Sequence, residues 1–336
     1  MSSNRKFRYQ TKYCPLCNLL SCAYSGVMRV RNFLYQKGIS KSYKVSVPVI
    51  CVGNITTGGT GKTPMVAWVV NQLKLLGKSP AILTRGYKAV DGKSDEAELL
   101  KKLTSVPVIM NPDRVAGAKN AIVQGADILV MDDGFQHMRL KRDADIILLD
   151  STNPFGYRKM LPAGRLREPM KGLSRAAAFV ATRSDQSTEE NINSFLAYAK
   201  KFAPNAPTAK ASHYPTKLIS LTGEQLNLEE IRNKKVLAFC ALGNPAGFYN
   251  TLEHLGAKLV DHVEFADHAD YSEKMLNKIL DRAKQLNADF IITTQKDAIK
   301  IPTNFSGSKI YQLAIEMKIL QGQAELISLL KKIANF

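Results

Sequence analysis

A glycine-rich loop between an apolar strand and a helix constrains this chain more than any other feature. The segment PVICVG, residues 48–53, is short, apolar and rich in β-branched residues, which predicts a buried strand. It is followed by TTGGTGKT, residues 56–63, which nearly matches the phosphate-binding pattern GxxxxGK[ST]. In such a loop, backbone N–H groups and the start of the next helix surround phosphate oxygens. The chain is therefore expected to bind a nucleoside triphosphate.

The positions of this loop have separate expected roles. Thr56 stands where the pattern has its first glycine, and three glycines remain to turn the backbone N–H groups inward. Lys62 is expected to contact the β- and γ-phosphates, and the Thr63 hydroxyl is expected to bind Mg²⁺. The predicted nucleotide-binding residues are Thr56, Thr57, Gly58, Gly59, Thr60, Gly61, Lys62 and Thr63.

A second apolar run, ILVMD at residues 128–132, ends in two adjacent aspartates. The first of them, Asp132, is expected to hold Mg²⁺ directly or through water, as in the Walker B pattern. One carboxylate is enough for that, so Asp133 is a candidate for a catalytic role. His137 follows on the loop at the carboxyl end of the strand, where parallel sheets bind ligands. These motifs alone leave open a kinase, an ATP-driven motor or a switch.

Short apolar runs like the first one recur along the chain, with helical segments between several of them. They lie at residues 81–84, 106–110, 128–132, 146–150, 179–182, 236–242, 259–265 and 290–294. This alternation predicts the α/β class, a P-loop NTPase-like parallel sheet with helices on both faces. Prolines between 204 and 215 suggest a boundary. We therefore expect a P-loop domain over 37–215 and a smaller α/β domain over 216–336 that closes the active-site cleft.

Positive charge is concentrated near the N-terminus. The formal net charge is +18, and the first 90 residues contain 14 lysines and arginines but no acidic residue. Such one-sided charge points to an anionic partner: nucleic acid, a phospholipid surface or a phosphorylated substrate. Because no nucleic-acid-binding module or aromatic stacking platform is evident, nucleic acid is not expected. No obligate protein partner is evident either.

Residues 1–36 are expected to form a basic, amphipathic, membrane-associating segment. Apolar side chains recur at helical spacing, at Leu16, Leu19, Leu20, Ala23, Tyr24, Val27, Met28, Leu34 and Tyr35. The opposite face has Asn18, Ser21, Ser25, Arg29 and Asn32. With basic residues on both flanks, this pattern is typical of a helix that lies in a membrane interface. The alternative is a first helix that packs its apolar face on the protein.

Five blocks of the sequence together resemble one family. They are PVICVGNITTGGTGKTP, MDDGFQHMRLKRDADIILLD, LPAGRLREP, FADHADYS and TTQKDAIK. The chain resembles the lipid A disaccharide kinases, or tetraacyldisaccharide 4′-kinases. The resemblance implies transfer of the γ-phosphate of ATP, with Mg²⁺, to the 4′-hydroxyl of a tetraacyldisaccharide 1-phosphate. It also implies a peripheral enzyme on the cytoplasmic face of the inner membrane of Gram-negative bacteria.

The resemblance also implies roles for residues outside the nucleotide-binding motifs. The family's Asp-Glu pair matches Asp95 and Glu96, and Asp95 is the expected base for the sugar hydroxyl. The family's partner for this base matches His268, which must reach Asp95 from the second domain. Arg114 matches an arginine near the site, and Glu168 matches a carboxylate whose role is less clear.

Other interpretations remain open at this point. The chain could phosphorylate a different membrane glycolipid, or it could be a membrane-associated ATPase switch. A switch would need no base aimed at a sugar, so the pair of Asp95 and His268 argues against it. Residues 94–96 would also serve as the start of a helix, where acidic and hydroxyl side chains are favoured.

Overall fold

The computed structural model describes residues 15–86, 94–242, 245–266, 269–302, 305 and 309–335. The predicted partner His268 and residues 1–14 lie outside these described residues. The helices are α1 Pro15–Gln36, α2 Lys62–Leu75, α3 Asp95–Thr104, α4 Arg114–Val123, α5 Glu189–Lys200, α6 Ala246–His254, α7 Glu273–Gln285, α8 Gln295–Ala298 and α9 Gln323–Ile333. The strands are β1 Val49–Gly53, β2 Pro80–Thr84, β3 Val108–Met110, β4 Ile128–Asp132, β5 Ala144–Asp150, β6 Ala178–Thr182, β7 Thr208–Ser220, β8 Gln225–Leu226, β9 Lys235–Cys240, β10 Lys258–Glu264, β11 Phe290–Thr294 and β12 Ile310–Gln321.

The strands form one continuous sheet. Its order is β10-β9-β11-β12-β7-β6-β5-β1-β4-β2-β3, and β8 pairs with β7. Neighbouring strands run parallel except where β7 meets β12 and β8. Every apolar run that the sequence analysis predicted as a strand is one, with ends within two residues of those predicted. The predicted α/β class is confirmed.

Strand β1 shows why these runs are apolar throughout. Val49 and Cys51 belong to the core on one face of the sheet, and Ile50 and Val52 belong to the core on the other. Successive side chains of a strand point to opposite faces, so a strand that is covered on both faces needs apolar residues at every position. We call this half of the sheet, with α2 to α5, the first lobe.

The second lobe repeats this arrangement around β9, β10 and β11. Val236 and Ala238 of β9 pack into one core together with Phe248 of α6. Leu237 packs into the other core together with Leu276 of α7. The second lobe is therefore also a parallel sheet covered by helices on both faces.

Two long antiparallel strands, β7 and β12, join the lobes. The expected domain boundary at residue 215 falls inside β7, because Pro215 pairs with Ile315 beside a bulge in the ladder. A proline lacks an N–H donor and is tolerated in a strand at such an irregularity. Helix α9 returns to the first lobe, where Leu326 and Leu330 share a core with α2. The packing therefore differs from the expected division, which assigned everything after residue 215 to the second domain.

Helix α1 lies along the first lobe with a face that the sequence pattern did not predict. Ser21 is buried and donates a hydrogen bond to the carbonyl of Met160, and Tyr24 donates one to the carbonyl of Arg167. Met28 is buried in the core on the same side. The large apolar side chains that face outward are Leu16, Leu19, Leu20, Val27, Val30 and Phe33, which are between 49% and 68% exposed. The carbonyls of Met160 and Arg167 need hydrogen-bond donors, which Ser21 and Tyr24 supply. The face of α1 that has both polar and apolar side chains therefore packs inward, and its most apolar face stays outside.

Candidate active site

The glycine-rich loop connects the carboxyl end of β1 to the start of α2. Gly61 is the residue before the helix and has a φ of 84°, and Gly58 has a φ of 114°. Both lie in the left-handed region that glycine adopts without steric cost. These two positions turn the chain so that α2 begins at Lys62, directly at the end of the loop. The positive end of the helix dipole therefore faces the concave side of the loop.

Neighbouring strands and loops hold this loop in place. The backbone N–H of Thr57 donates to the carbonyl of Arg165 at 2.7 Å. The Thr182 hydroxyl, at the end of β6, donates to the carbonyl of Thr60 at 2.9 Å. Arg183 donates to the carbonyl of Gly59 at 2.7 Å and also pairs with Asp150. The carbonyl oxygens of Gly59 and Thr60 are thereby occupied on the outside of the loop, and the N–H of Thr57 is already engaged by Arg165.

Asp132 ends β4, the strand next to β1, and lies close to the phosphate loop. Its side chain is buried, and its Oδ1 atom has no hydrogen-bond partner among the described residues. Burial and the neighbouring charge of Asp133 raise the pKa of Asp132 to about 7. A buried carboxylate oxygen without a donor is suited to a cation.

Asp133 follows immediately and points at two cations. Its φ of 48° places the residue in the left-handed region. Arg167 contacts both carboxylate oxygens, at 2.8 and 2.9 Å, and Lys62 Nζ lies 3.8 Å from Oδ1. Burial acts in the opposite direction, but the charges of Lys62 and Arg167 lower the pKa of Asp133. The carboxylate therefore stays ionised and orients the lysine of the phosphate loop.

Arg114 lies beside Asp132, and His137 lies near Arg114. Arg114 is 4% exposed and donates to the carbonyl of Asp132 at 3.3 Å, and burial lowers its pKa to about 10. Burial, together with Arg114 and Arg142, lowers the pKa of His137 to about 4. The imidazole is therefore neutral near pH 7 and can donate or accept a hydrogen bond without adding charge. Its Nε2 atom is buried without a partner among the described residues.

Glu168 is almost completely enclosed, at 1% exposure. It accepts hydrogen bonds from Arg175 and Gln136, both at 2.8 Å, and from Asn32 of α1 at 3.5 Å. Arg175 in turn lies over the Phe135 ring, 4.1 Å from its centroid. Through these contacts the buried carboxylate of Glu168 holds the loop that follows β4. The sequence had left the role of this carboxylate open.

Asp95 and Glu96 are the first two residues of α3. The Ser94 side chain makes no capping hydrogen bond, although the residue stands at the N-cap position. The charge of Glu96 contributes to the raised pKa of Asp132, so this helix start faces the aspartates of β4. Asp95 Oδ2 lies 3.5 Å from Lys300 Nζ, which comes from the second lobe. The two lobes therefore meet at Asp95, and the contact that the structure describes there is a lysine.

Buried polar atoms that have no hydrogen-bond partner among the described residues collect around these carboxyl strand ends. They are Asn54 Oδ1, Thr60 Oγ1, Arg114 Nε, Asp132 Oδ1 and His137 Nε2. Native proteins leave few such atoms, and a group of them marks a place where a ligand supplies the missing partners. With the loop and the parallel sheet, they define a P-loop phosphate-binding protein of the α/β class.

Comparison with known proteins identifies the family. A sequence model of the tetraacyldisaccharide-1-P 4′-kinase family, LpxK, matches residues 14–335. The tetraacyldisaccharide 4′-kinase of Halothermothrix orenii is 32% identical over 94% of this chain and 92% of that protein. That of Syntrophus aciditrophicus is 34% identical, covering 92% and 90%. The crystal structure of LpxK from Aquifex aeolicus in complex with ATP has a TM-score of 0.76 and 30% identity, covering 94% of this chain and 97% of that one.

The chain belongs to the tetraacyldisaccharide-1-P 4′-kinase family. It is a kinase that phosphorylates the 4′-hydroxyl of a tetraacyldisaccharide 1-phosphate in an ATP-dependent step of lipid A biosynthesis. The family and activity expected from the sequence blocks are thereby confirmed.

Several residues around this site were not singled out from the sequence. Arg167, Gln136 and Arg175 connect the aspartates of β4 to the segment that contains Glu168. Arg167 lies within the block LPAGRLREP, which helped to indicate the family. A single sequence does not show which carboxylate an arginine will pair with, so the contact with Asp133 was not predicted. Lys300 lies within TTQKDAIK in the same way.

Proposed function

We propose that the described residues divide the reaction into a nucleotide side and an acceptor side. Lys62 and the loop from Thr56 to Thr63 bind the β- and γ-phosphates of ATP and stabilise the charge that develops during transfer. The observation that carries this assignment is the group of unpartnered buried atoms at the ends of β1 and β4. The buried cation Arg114 adds positive potential beside Asp132.

A Mg²⁺ ion fits the donors on this side. The Asp132 carboxylate has a buried, unpartnered oxygen, and Thr63 adds a hydroxyl in the first turn of α2. Hard oxygen donors suit Mg²⁺, which usually keeps several waters and binds phosphates rather than a full protein cage. Consistent with that, the described part of the chain has no group of three or more His, Cys, Asp or Glu side chains arranged for a metal. When bound, the ion would neutralise phosphate charge.

On the acceptor side, Asp95 takes the proton of the 4′-hydroxyl as its oxygen attacks the γ-phosphorus. The bond from that phosphorus to the bridging oxygen breaks, and ADP leaves. Asp95 is 34% exposed, so a substrate can reach it, and it stands at the contact between the lobes. His268, which the family resemblance pairs with this base, lies two residues before Asp270, outside the described residues.

The outward face of α1 is proposed to lie in the interface of an anionic membrane. Its six exposed apolar side chains can enter the bilayer interface, and the basic residues around them would contact anionic headgroups. The described residues contain no helix that is both long and apolar enough to cross a bilayer. Peripheral attachment at the cytoplasmic face of the inner membrane would bring the active site to its lipid substrate.

Transfer of ³²P from ATP to a tetraacyldisaccharide 1-phosphate tests the assignment of the base. We expect Asp95→Asn to lower kcat by about 10²-fold or more with little change in nucleotide affinity. Glu98→Gln, in the same first turn of α3, is the matched control. Full activity in Asp95→Asn would remove the base assignment, and an equal loss of nucleotide affinity would make Asp95 part of the nucleotide site. A membrane-associated ATPase switch would instead hydrolyse ATP without labelling the lipid.

A further inference from the structure

Lys300 lies at the contact between the lobes, beside the proposed base. It follows the short helix α8, and its side chain is 2% exposed. Its Nζ atom lies 3.5 Å from Asp95 Oδ2 and donates to the carbonyl of Ala269 at 3.2 Å. One ammonium therefore contacts the proposed base in the first lobe and the backbone of the second.

Burial of the Lys300 ammonium is unfavourable in free energy if the side chain serves only to fill space. Moving an ammonium out of water costs several kcal/mol unless anionic or carbonyl oxygens replace the lost hydration. An apolar side chain would fill the same volume at no such cost. The ammonium instead contacts a carboxylate that remains 34% exposed, which is open to a second partner on its other side.

The backbone that carries Lys300 is itself held firmly. Thr294 is the N-cap residue of α8, and its hydroxyl donates to Asp297 Oδ2 at 2.6 Å while accepting from the Asp297 N–H at 3.2 Å. Asp297 is fully buried and also accepts from the N–H of Ala241 at 3.2 Å. The N–H of Lys300 donates to the carbonyl of Asp297 at 3.0 Å. The ammonium is thus presented from a fixed turn at the carboxyl ends of β9 and β11.

We infer that Lys300 is a positioning residue for the base: it holds Asp95 Oδ2 so that Oδ1 faces the acceptor hydroxyl. This inference rests on the proposed role of Asp95. The same ammonium ties the base to the backbone at Ala269, so the base is aligned only when the second lobe is docked on α3. Orientation of a base to within a fraction of an ångström is worth a large factor in rate, so its loss lowers turnover without weakening nucleotide binding.

A double-mutant cycle on the full-length protein tests the inference. We expect Lys300→Met to lower kcat by about 10- to 100-fold, with the KM for ATP within about twofold of its original value. In an Asp95→Asn background, Lys300→Met should change kcat by less than about threefold, because residues that act as a unit are not additive. Lys309→Met, at an exposed lysine of the same lobe, is the matched control.

The outcomes separate this inference from the proposed function. If Asp95→Asn stays active, the role of Asp95 as base fails. If Asp95→Asn is inactive but Lys300→Met has normal kcat, Asp95 remains the base and the positioning role of Lys300 is overturned. The positioning role is also overturned if the kcat loss in the double variant is the product of the losses in the two single variants. Lys300→Arg keeps a cation, and thermal unfolding of each variant checks the fold. A kcat for Lys300→Arg well above that of Lys300→Met supports the inference, and equal values overturn it.

Discussion

Arg167 donates from a single guanidinium nitrogen to both carboxylate oxygens of Asp133, at 2.8 and 2.9 Å. The same carboxylate lies 3.8 Å from Lys62 Nζ. Asp133 therefore joins the lysine of the phosphate loop to the segment that carries Arg167 and Glu168. Because the Tyr24 hydroxyl of α1 donates to the carbonyl of Arg167 at 2.9 Å, the helix proposed to contact the membrane also supports this segment.

We expect Arg167→Met to lower kcat by about tenfold or more, because Asp133 loses a charge-assisted hydrogen bond and no longer fixes Lys62. Steady-state kinetics with ATP and lipid would measure this. Arg232→Met, at an exposed arginine of the second lobe, is the control. A kcat equal to that of the unchanged protein would contradict a supporting role for Arg167.

Substitution of the loop lysine should be more severe. We expect Lys62→Ala to lower turnover by roughly 10²-fold or more, because one cation aimed at the transferring phosphate typically supplies that factor. The same ³²P-transfer assay measures it, and Lys102→Ala on the exposed side of α3 should have no effect. Near-normal turnover of Lys62→Ala would remove the phosphate-loop assignment.

We expect substitution of Glu168 to lower the stability of the fold rather than to change the chemical step directly. Glu168→Gln removes the carboxylate that pairs with the Arg175 guanidinium, whose Nε and Nη1 are buried with no hydrogen-bond partner in the part of the chain that the structure describes. Breaking a buried pair in this way typically costs about 3–5 kcal/mol, so the free energy of unfolding should fall by that order. Urea unfolding measures it, with Glu190→Gln, at an exposed residue of α5, as control. Unchanged stability with lost turnover would instead make Glu168 a residue of the reaction.

The membrane proposal is best tested on the outward face of α1. Deleting residues 1–36 would also remove Ser21 and Tyr24, which hold the segment beside the active site. Leu19→Gln with Val27→Gln leaves those contacts intact, since both side chains are about two-thirds exposed.

We expect this double variant to reduce sedimentation with anionic vesicles at least about tenfold, since each buried aliphatic side chain contributes roughly 1.5–3 kcal/mol. Leu75→Gln with Val123→Gln, at exposed apolar residues on other helices, is the matched control. High salt should weaken binding of the unchanged protein without abolishing it. If both double variants bind equally well, α1 does not contact the membrane.

A buried histidine should make the protein sensitive to acid. His213 of β7 packs against the phosphate loop, where a Cβ atom on Gly61 would come within 2.6 Å of its Nε2. Burial, with a contribution from Arg183, lowers its pKa to about 4. The unfolded chain binds this proton near pH 6.5 and the folded chain only near pH 4, so the free energy of unfolding falls as pH drops through that interval.

In His213→Gln, we expect the free energy of unfolding to fall less steeply with decreasing pH, because about one fewer proton is taken up on unfolding. The slope should differ by roughly 1.4 kcal/mol per pH unit. Urea unfolding at several values between pH 4.5 and 7 provides the measurement, and His254→Gln, at an exposed histidine, serves as control. An unchanged slope would show that His213 is protonated in the folded protein over this range.

Short-range sequence patterns were sufficient to predict the strands and the loop that contain the nucleotide site. The strands β1 and β4 are buried at every position and apolar apart from the glycine and the aspartate at their ends, and the loop before Lys62 has glycines where the backbone needs a positive φ. Both signals lie within a few neighbouring residues, so a single sequence shows them. The family resemblance then supplied Asp95, Arg114 and Glu168 as candidates. Neither source predicted β7 and β12, whose pairing joins residues about a hundred positions apart.

The sequence by itself determined the α/β class, the phosphate loop, the carboxylates at the end of β4 and the family. Only the tertiary structure decided which face of α1 is outward, that Arg167 orients Asp133, and that Lys300 reaches Asp95 from the other lobe. The physical reason is the range of the interactions. Backbone conformation and strand burial depend on adjacent residues, whereas an ion pair or a packed helix face depends on which distant segments the fold brings together.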